Sequence, residues 1–409
     1  MISAYRLAGR LASPYLRRFL RQRAARGKEI PVRLPERYGV TQAPRPAGKL
    51  VWVHAASVGE TMSVLPVIQA LGGKAEVLLT TGTVTSAHLA AARLPAFARH
   101  QFVPLDVPGW GKRFLDHWRP DVAVFVESEL WPGLLTECDR RNIPRLLINA
   151  RISATSARNW GRVPRLTRRI LAPFRHVHAQ SAGDAENFRR LGLRDVLEWG
   201  NLKFFTPPLP VDEDGLAGFR KRIPASLWLA ASTHPGEEEL ILQAHCALLP
   251  AFPDLVTVIV PRHPERGAEI AALAGNAPRR SSGEAPRAGQ VYVADTLGEL
   301  GLFFRAAPFA FIGNSLVGYG GHNLIEPAQL GRPVITGPHN ENFLQAAARL
   351  RAAQALIEVT DCASLTAAVR SWLREPDAAE AAGGRAAAAL RTAEDLPLRL
   401  ADLILKEAE

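Results

Sequence analysis

Phe309-Ala-Phe-Ile312, followed after a short interval by Gly320-Gly321-His322-Asn323-Leu324-Ile325-Glu326-Pro327, is the stretch on which the fold turns. An apolar run runs into a glycine-rich loop, and the loop opens a helix with one carboxylate in its first turn. This is the architecture of a nucleotide site. Bare backbone N–H groups at such a helix start can hold a phosphate, and Glu326 can accept from two vicinal ribose hydroxyls. A second reading stays open, because Asn323 and Glu326 also have the spacing of an N-cap and its reciprocal N3 partner.

Outward from that stretch the same alternation repeats. Short apolar or β-branched runs at 50–53, 76–79, 101–103, 122–126, 145–148, 177–179 and 196–199 are separated by helical stretches. A second series follows at 226–230, 255–260, 290–293, 309–312, 333–335 and 356–359. Strands alternating with helices imply parallel sheets covered on both faces, so the fold class is α/β. Between the series, Thr206-Pro-Pro-Leu-Pro-Val-Asp-Glu-Asp-Gly215 reads as a linker, and 409 residues exceed what one core fills. The expected domains are an amphipathic segment over 1–28, a first domain over 29–205, a linker over 206–215 and a second domain over 216–409.

Charge is unevenly placed. Residues 1–50 hold 12 Lys and Arg against 2 acids, and residues 140–175 hold 10 arginines against none, within a net charge of +11. Two basic zones in one half predict an anionic partner there. Three dispersed cysteines, Cys138, Cys246 and Cys362, argue against a disulfide framework or a zinc site and fit a reducing cytoplasm. At the N-terminus Ile2, Tyr5, Leu7, Leu11, Tyr15, Leu16, Phe19 and Leu20 lie among arginines that include Arg6. This segment is too interrupted to span a bilayer and lacks a signal-peptide cleavage site. It reads as a helix lying on an anionic leaflet or packed on its own domain.

Nearly every unusual polar residue directly follows an expected strand, and open α/β sheets bind ligands outside the carboxyl ends of their strands. In His54-Ala-Ala-Ser-Val-Gly-Glu60, Ser57 and Gly59 leave room for a second substrate while Glu60 reaches its hydroxyl as general base; the alternative is an acid placed for the helix dipole. Glu127 and Glu129 alternate on an extended segment, so only one enters the site, and Glu127 pairs with Lys203 or an arginine or faces a cationic sugar. Arg262, between Pro261 and Pro264, suits a phosphate. The five strand-end histidines, His54, His234, His263, His322 and His339, lack metal-ligand spacing, so no metal is expected.

With these motifs placed, the chain resembles the 3-deoxy-D-manno-octulosonic acid (Kdo) transferases from about residue 30 onward. The resemblance rests on His54–Glu60, Glu127-Ser-Glu-Leu-Trp-Pro132, Gly200-Asn-Leu-Lys203, Ser232-Thr-His-Pro-Gly-Glu-Glu238, Val260-Pro-Arg-His-Pro-Glu-Arg266, Gly320–Glu326 and Gly337-Pro-His339, in the family's order. It implies a GT-B type fold, two Rossmann-like domains with parallel sheets facing across a cleft, acceptor on the first and CMP-Kdo on the second. It implies Glu60 as base, and Glu127 and Lys203 as transition-state stabilisers. It implies cytidine-nucleotide contacts at Pro261, Arg262, Leu297, Gly298, Glu299, Asn323, Leu324, Ile325 and Glu326. Ser57, Gly59, Arg151 and His234 are the further expected substrate contacts. Three departures stand out: Phe205 where the family usually has Asp, Asn314 in its Gly-Gly-Ser-Leu, and a less apolar N-terminus.

The expected activity is inverting transfer of Kdo from CMP-Kdo to a sugar hydroxyl of the phosphorylated lipid A precursor, lipid IVA, without cofactor or metal. The expected location is the cytoplasmic face of the bacterial inner membrane, peripheral or monotopic, against an anionic membrane surface. A nucleotide-sugar epimerase on the same fold is the alternative, and it would alter the donor without any acceptor. A basic nucleic-acid-binding protein has only the charge in its favour, with no aromatic-basic interleaving, so no nucleic-acid partner is expected.

Overall fold

The computed structural model describes every residue except Met1, Pro224, Ala225, Tyr319 and residues 392–394; the side chains of residues 2–4 and 6, Ile2 and Arg6 among them, also lie outside the description. The chain divides into two compact units, Met1–Pro207 with Ala393–Glu409, and Pro208–Thr392.

Unit 1 holds seven strands: β1 (Leu50–His54), β2 (Glu76–Thr81), β3 (Ala98–Phe102), β4 (Val122–Val126), β5 (Arg145–Ala150), β6 (His176–Ala179) and β7 (Val196–Leu197), in the order β3-β2-β1-β4-β5-β6-β7. Unit 2 holds β8 (Leu227–Thr233), β9 (Val256–Pro261), β10 (Val291–Val293), β11 (Ala310–Ile312), β12 (Val334–Thr336) and β13 (Leu356–Glu358), in the order β10-β9-β8-β11-β12-β13. Every pairing is parallel. Both orders reverse direction beside the first strand, between β1 and β4 and between β8 and β11, which opens a crevice at their carboxyl ends.

Period-two alternation explains why β1 reads as an unbroken apolar run. Leu50 and Trp52 enter one core with Leu78, Phe114 and Phe125, while Val51 and Val53 enter another with Val64, Ile68 and Leu79. Both faces are covered, so no polar face exists to alternate with. The third strand starts three residues before its expected position, at Ala98. It pairs only with β2, and an edge strand tolerates Arg99 and His100.

Two domain boundaries need correction. The helix Glu213–Arg220 begins inside the expected linker, and unit 2 begins at Pro208. The last helix, Leu396–Glu407, belongs to unit 1: Leu396, Leu400 and Ile404, all buried, share the core of Val64 and Ile68. Arg399 lies over the Trp199 ring at 4.2 Å, and Arg175 pairs with Glu407 at 2.8 Å. An apolar stripe specifies that a helix is covered but not which sheet covers it, so spacing alone could not assign it.

The first helix, Ile2–Ala25, packs on its own domain along part of its length. Leu20 is buried with Val107 and Trp110, and Arg17 lies over Tyr38 at 4.8 Å. Leu7, Leu11 and Tyr15, four residues apart, remain exposed. Among the described residues no helix is long and apolar enough to cross a membrane. Part of the second basic zone is structural, because Arg145 is buried against Phe174 and paired with Asp139 at 2.5 Å, and Arg141 pairs with Asp116 and Glu137.

Candidate active site

In unit 1 the switch point gathers carboxylates. Ser57 caps the helix Val58–Ala70, its hydroxyl accepting from the Glu60 N–H at 3.3 Å and donating to Glu60 Oε1 at 2.8 Å. The Ala56 N–H donates to Glu60 Oε2 at 2.8 Å. The cap therefore fixes the carboxylate in place in the first turn of the helix, as the dipole reading expects. Burial first, then the negative charge of Glu129 and to a lesser degree Glu127, push the Glu60 carboxyl above the ordinary range, against the two hydrogen bonds. Gly59 has an ordinary φ, and nothing lies within 4 Å of where its Cβ would be. It contributes open space beside Glu60, not a special backbone.

The expectation that only one of Glu127 and Glu129 enters the site is overturned. The chain turns after β4, with Glu127 at φ +57°, so strict alternation ends at Val126. Both carboxylates then bear on Glu60. Glu127 Oε1 pairs with Lys203 Nζ at 2.8 Å. Glu129 Oε2 lies 3.3 Å from His54 Nε2 and accepts from Trp131 Nε1 at 2.5 Å, and His54 Nδ1 meets Thr80 Oγ1 at 3.1 Å. Burial raises the Glu129 carboxyl, but the His54 and Trp131 contacts outweigh it and hold the group below its usual pKa. A non-glycine residue at such a φ costs about 1–3 kcal/mol, and such strain concentrates at functional sites.

Lys203 is set by a relay of amides. Asn149, at φ +49°, accepts the Leu202 N–H at 3.0 Å, and Asn201 accepts the Lys203 N–H at 3.0 Å. Arg151 is tied to the Glu127 turn through its backbone, its carbonyl accepting from Ser128 Oγ at 2.5 Å. Phe205 packs against the core that holds Leu396 and Leu400, so this departure serves packing.

In unit 2 a buried carboxylate that the motif reading had not singled out organises the switch point. Glu237 Oε2 accepts the backbone N–H groups of His234 at 3.0 Å and Asn314 at 2.7 Å, and Oε1 those of Ser315 and Leu316, each at 3.0 Å. Burial raises its pKa against these four bonds. A Cβ on Gly313 would lie 2.7 Å from Glu237 Oε2, so that position has to be glycine. Asn314 sits at φ +62°, a conformation asparagine tolerates better than most residues, so the departure from Gly-Gly keeps the backbone.

Around this loop His234 stacks on His322 with Nε2 atoms 2.9 Å apart, and His263 meets His234 edge-on. Burial, then the charges of Arg262, His234 and His263, bring His322 down to about 4, so at neutral pH one uncharged ring donates to the other. Arg262 also acts on Glu326, which burial lifts to about 7 against the Asn323 hydrogen bond and the Arg262 charge. Arg262, His322, Asn323 and Glu326 thus form one cluster.

The helix here differs from expectation. It runs only from Ile325 to Gln329, capped by Leu324 without a side-chain bond, so the capping box of Asn323 and Glu326 does not form. Asn323 Oδ1 takes the Ile325 N–H instead, at 3.0 Å. Leu324 and Ile325 are core residues, so only their backbones are left for the contacts expected of them. After β10, Leu297 is exposed, Gly298 has φ +85° with open space around it, and Glu299 is held by Arg280 and Thr296. Pro261 ends β9. Among the described residues no three His, Cys, Asp or Glu side chains converge as metal ligands.

Residues 32–206 match the family described as 3-Deoxy-D-manno-octulosonic-acid transferase (kdotransferase). A 3-deoxy-D-manno-octulosonic acid transferase of Haemophilus influenzae is 35% identical over 389 residues, covering 91% of this chain and 90% of that one. One from Rickettsia typhi is 34% identical over 344 residues, covering 81% and 73%. Among solved structures, a UDP-GlcNAc 2-epimerase from Neisseria meningitidis bound to UDP-GlcNAc aligns with a TM-score of 0.57 at 14% identity, covering 88% of this chain and 99% of that chain. This last likeness is of fold alone, and the fold is GT-B with two Rossmann-like parallel-sheet units.

Proposed function

The chain belongs to the 3-deoxy-D-manno-octulosonic acid transferase family, glycosyltransferases of lipopolysaccharide biosynthesis, and from that premise we propose that it moves Kdo from CMP-Kdo to a sugar hydroxyl of the lipid A precursor lipid IVA with inversion. The observation that carries this reading is Glu60. It is a carboxylate fixed by Ser57 and Ala56, raised by burial and by two neighbouring carboxylates, and beside a strained Glu127 paired with Lys203. A base raised toward the working pH is suited to take a proton.

Glu60 takes the proton of the acceptor hydroxyl as that oxygen bonds to the anomeric carbon. The bond from that carbon to the CMP phosphate oxygen breaks, and CMP leaves with both electrons. Glu127, held by its ion pair with Lys203, favours positive character in the sugar. Arg262 and the backbone of the glycine-rich turn at Gly320 and Gly321 take the phosphate, and Glu326 the ribose. Fixed cations can carry the leaving charge, so the scheme has no metal or cofactor. The five-residue helix is too short to supply much of this field.

For location, the exposed Leu7, Leu11 and Tyr15 among arginines support a peripheral or monotopic hold on the anionic cytoplasmic face of the inner membrane. The epimerase alternative is supported by fold only. Mass spectrometry of lipid products from CMP-Kdo and a tetraacylated lipid A precursor tests the assignment. Glu60→Gln should abolish product while CMP still binds. An active mutant removes the base role, and conversion of the donor without acceptor would favour an epimerase.

A further inference from the structure

All strands of unit 2 run in parallel, so its amino ends share one edge, away from the carboxyl-end loops of Arg262 and Glu326. An open pocket of about 510 Å³ lies at that amino edge, between the starts of β8, β11 and β12. Its walls include Ile223, Pro308 and Trp372, and three arginines converge there: Arg220, Arg305 and Arg332. The Arg305 carbonyl accepts from Arg220 Nη2 at 2.7 Å and from Arg332 Nη2 at 3.3 Å, while Arg305 Nη1 donates to the Gly301 carbonyl at 2.9 Å. One carbonyl therefore gathers two guanidinium groups beside the side chain of its own residue, Arg305.

Their charge is not matched by acids. Among the described residues none of the three forms an ion pair, whereas Arg266, Arg279 and Arg280 of the same unit all do. The Arg332 Nε is buried and lacks a hydrogen-bond partner. Burial, then the charge of Arg220, hold the Arg332 guanidinium below its usual pKa, with Glu380 acting the other way. Arg220 and Arg305 sit in the last turns of their helices, where each helix end supplies roughly half a negative charge at most. Those two ends and Glu380 together still leave roughly one positive charge uncompensated around the pocket. Concentrating like charges in a recess is costly unless an anion joins them.

We propose that unit 2 carries a second anion site, at the amino edge of its sheet, in which Arg220, Arg305 and Arg332 take a phosphate group and the Ile223, Pro308 and Trp372 walls take its organic substituent. A phosphate monoester, with about −1.5 to −2 charges at neutral pH, matches both the charge and the forked donors.

The test is a titration of inorganic phosphate into the full chain at constant ionic strength, with saturating CMP to occupy the nucleotide loops, read by calorimetry and thermal shift. Wild type should show one saturable phosphate site. Arg220→Gln and Arg332→Gln should each weaken it by about tenfold, the worth of one charge-assisted contact, with CMP affinity unchanged. Arg220 is exposed, so its variant reports even if Arg332→Gln folds poorly. Displacement of phosphate by glycerol 1-phosphate identifies a soluble ester, and displacement only by phosphatidic acid vesicles identifies a lipid headgroup; either supports the site. Phosphate binding that does not saturate, or that Arg220→Gln leaves unaltered, overturns it.

Discussion

Glu237→Gln changes one oxygen of a buried side chain to an amide nitrogen, and the structure fixes what that change costs. Both carboxylate oxygens accept two backbone N–H groups, from His234 and Asn314 on one and from Ser315 and Leu316 on the other. Whichever way the amide is turned, two N–H donors face an NH₂ group that cannot accept. Each buried donor left unsatisfied costs about 1–3 kcal/mol, so the variant loses about 2–6 kcal/mol. No rearrangement relieves this cheaply, because Gly313 is packed against the same carboxylate. For a unit of this size about 2–4 °C is lost per kcal/mol, which gives a fall of about 10 °C in the melting temperature of unit 2. Differential scanning calorimetry reads it. The released residues 313–316 precede the cluster of His322 and Glu326, so CMP affinity by titration calorimetry should fall as well. A variant that melts within a degree or two of wild type and binds CMP normally would refute the claim that this carboxylate builds the loop.

Three further outcomes are expected. Glu129→Gln removes the larger of the two charges that raise Glu60; with Glu60 as the proposed base, transfer fails as pH falls through its pKa, so the acidic limb of the rate profile should move to lower pH, and an unmoved limb would break the coupling. Leu400→Ala should destabilise unit 1 by about 2–5 kcal/mol, measured by denaturant unfolding, if the last helix is part of its core. With Glu326 at about 7, CMP should bind more tightly as pH rises through that value and the carboxylate becomes a full acceptor; Glu326→Gln should remove that pH dependence in titration calorimetry.

Much of the fold was legible because buried parallel strands leave an unmistakable apolar trace: all thirteen runs are strands, from Leu50 to Glu358. What was not legible depends on backbone sign and on partner choice. Nothing in Glu127-Ser-Glu129 announces a left-handed turn, since glutamate is not a residue that seeks one, and the placement of both carboxylates followed from that turn. The Asn323 to Glu326 spacing suits a capping box, yet the helix starts at Ile325 because Leu324 and Ile325 are drawn into the core. Glu237 stood in the open within its motif. A charged residue just after a strand and next to a glycine was the available signal, but a carboxylate that serves four main-chain donors has no pattern in sequence beyond that. The site residues taken from family resemblance fall at strand ends in both units, while Leu324 and Ile325 offer only their backbones.

The return of Leu396–Glu407 to unit 1 affects how the protein is born. As the nascent chain leaves the ribosome, the first sheet emerges with Val64, Ile68 and Leu79 short of a cover that is encoded after unit 2. The whole of unit 2 has to be translated in between, roughly ten to forty seconds at ordinary elongation rates. For that interval the domain that bears Glu60 exposes an oily seam to the cytosol, a target for chaperones. A late nonsense codon that spares Glu60, Glu127 and Lys203 would leave the seam open for good.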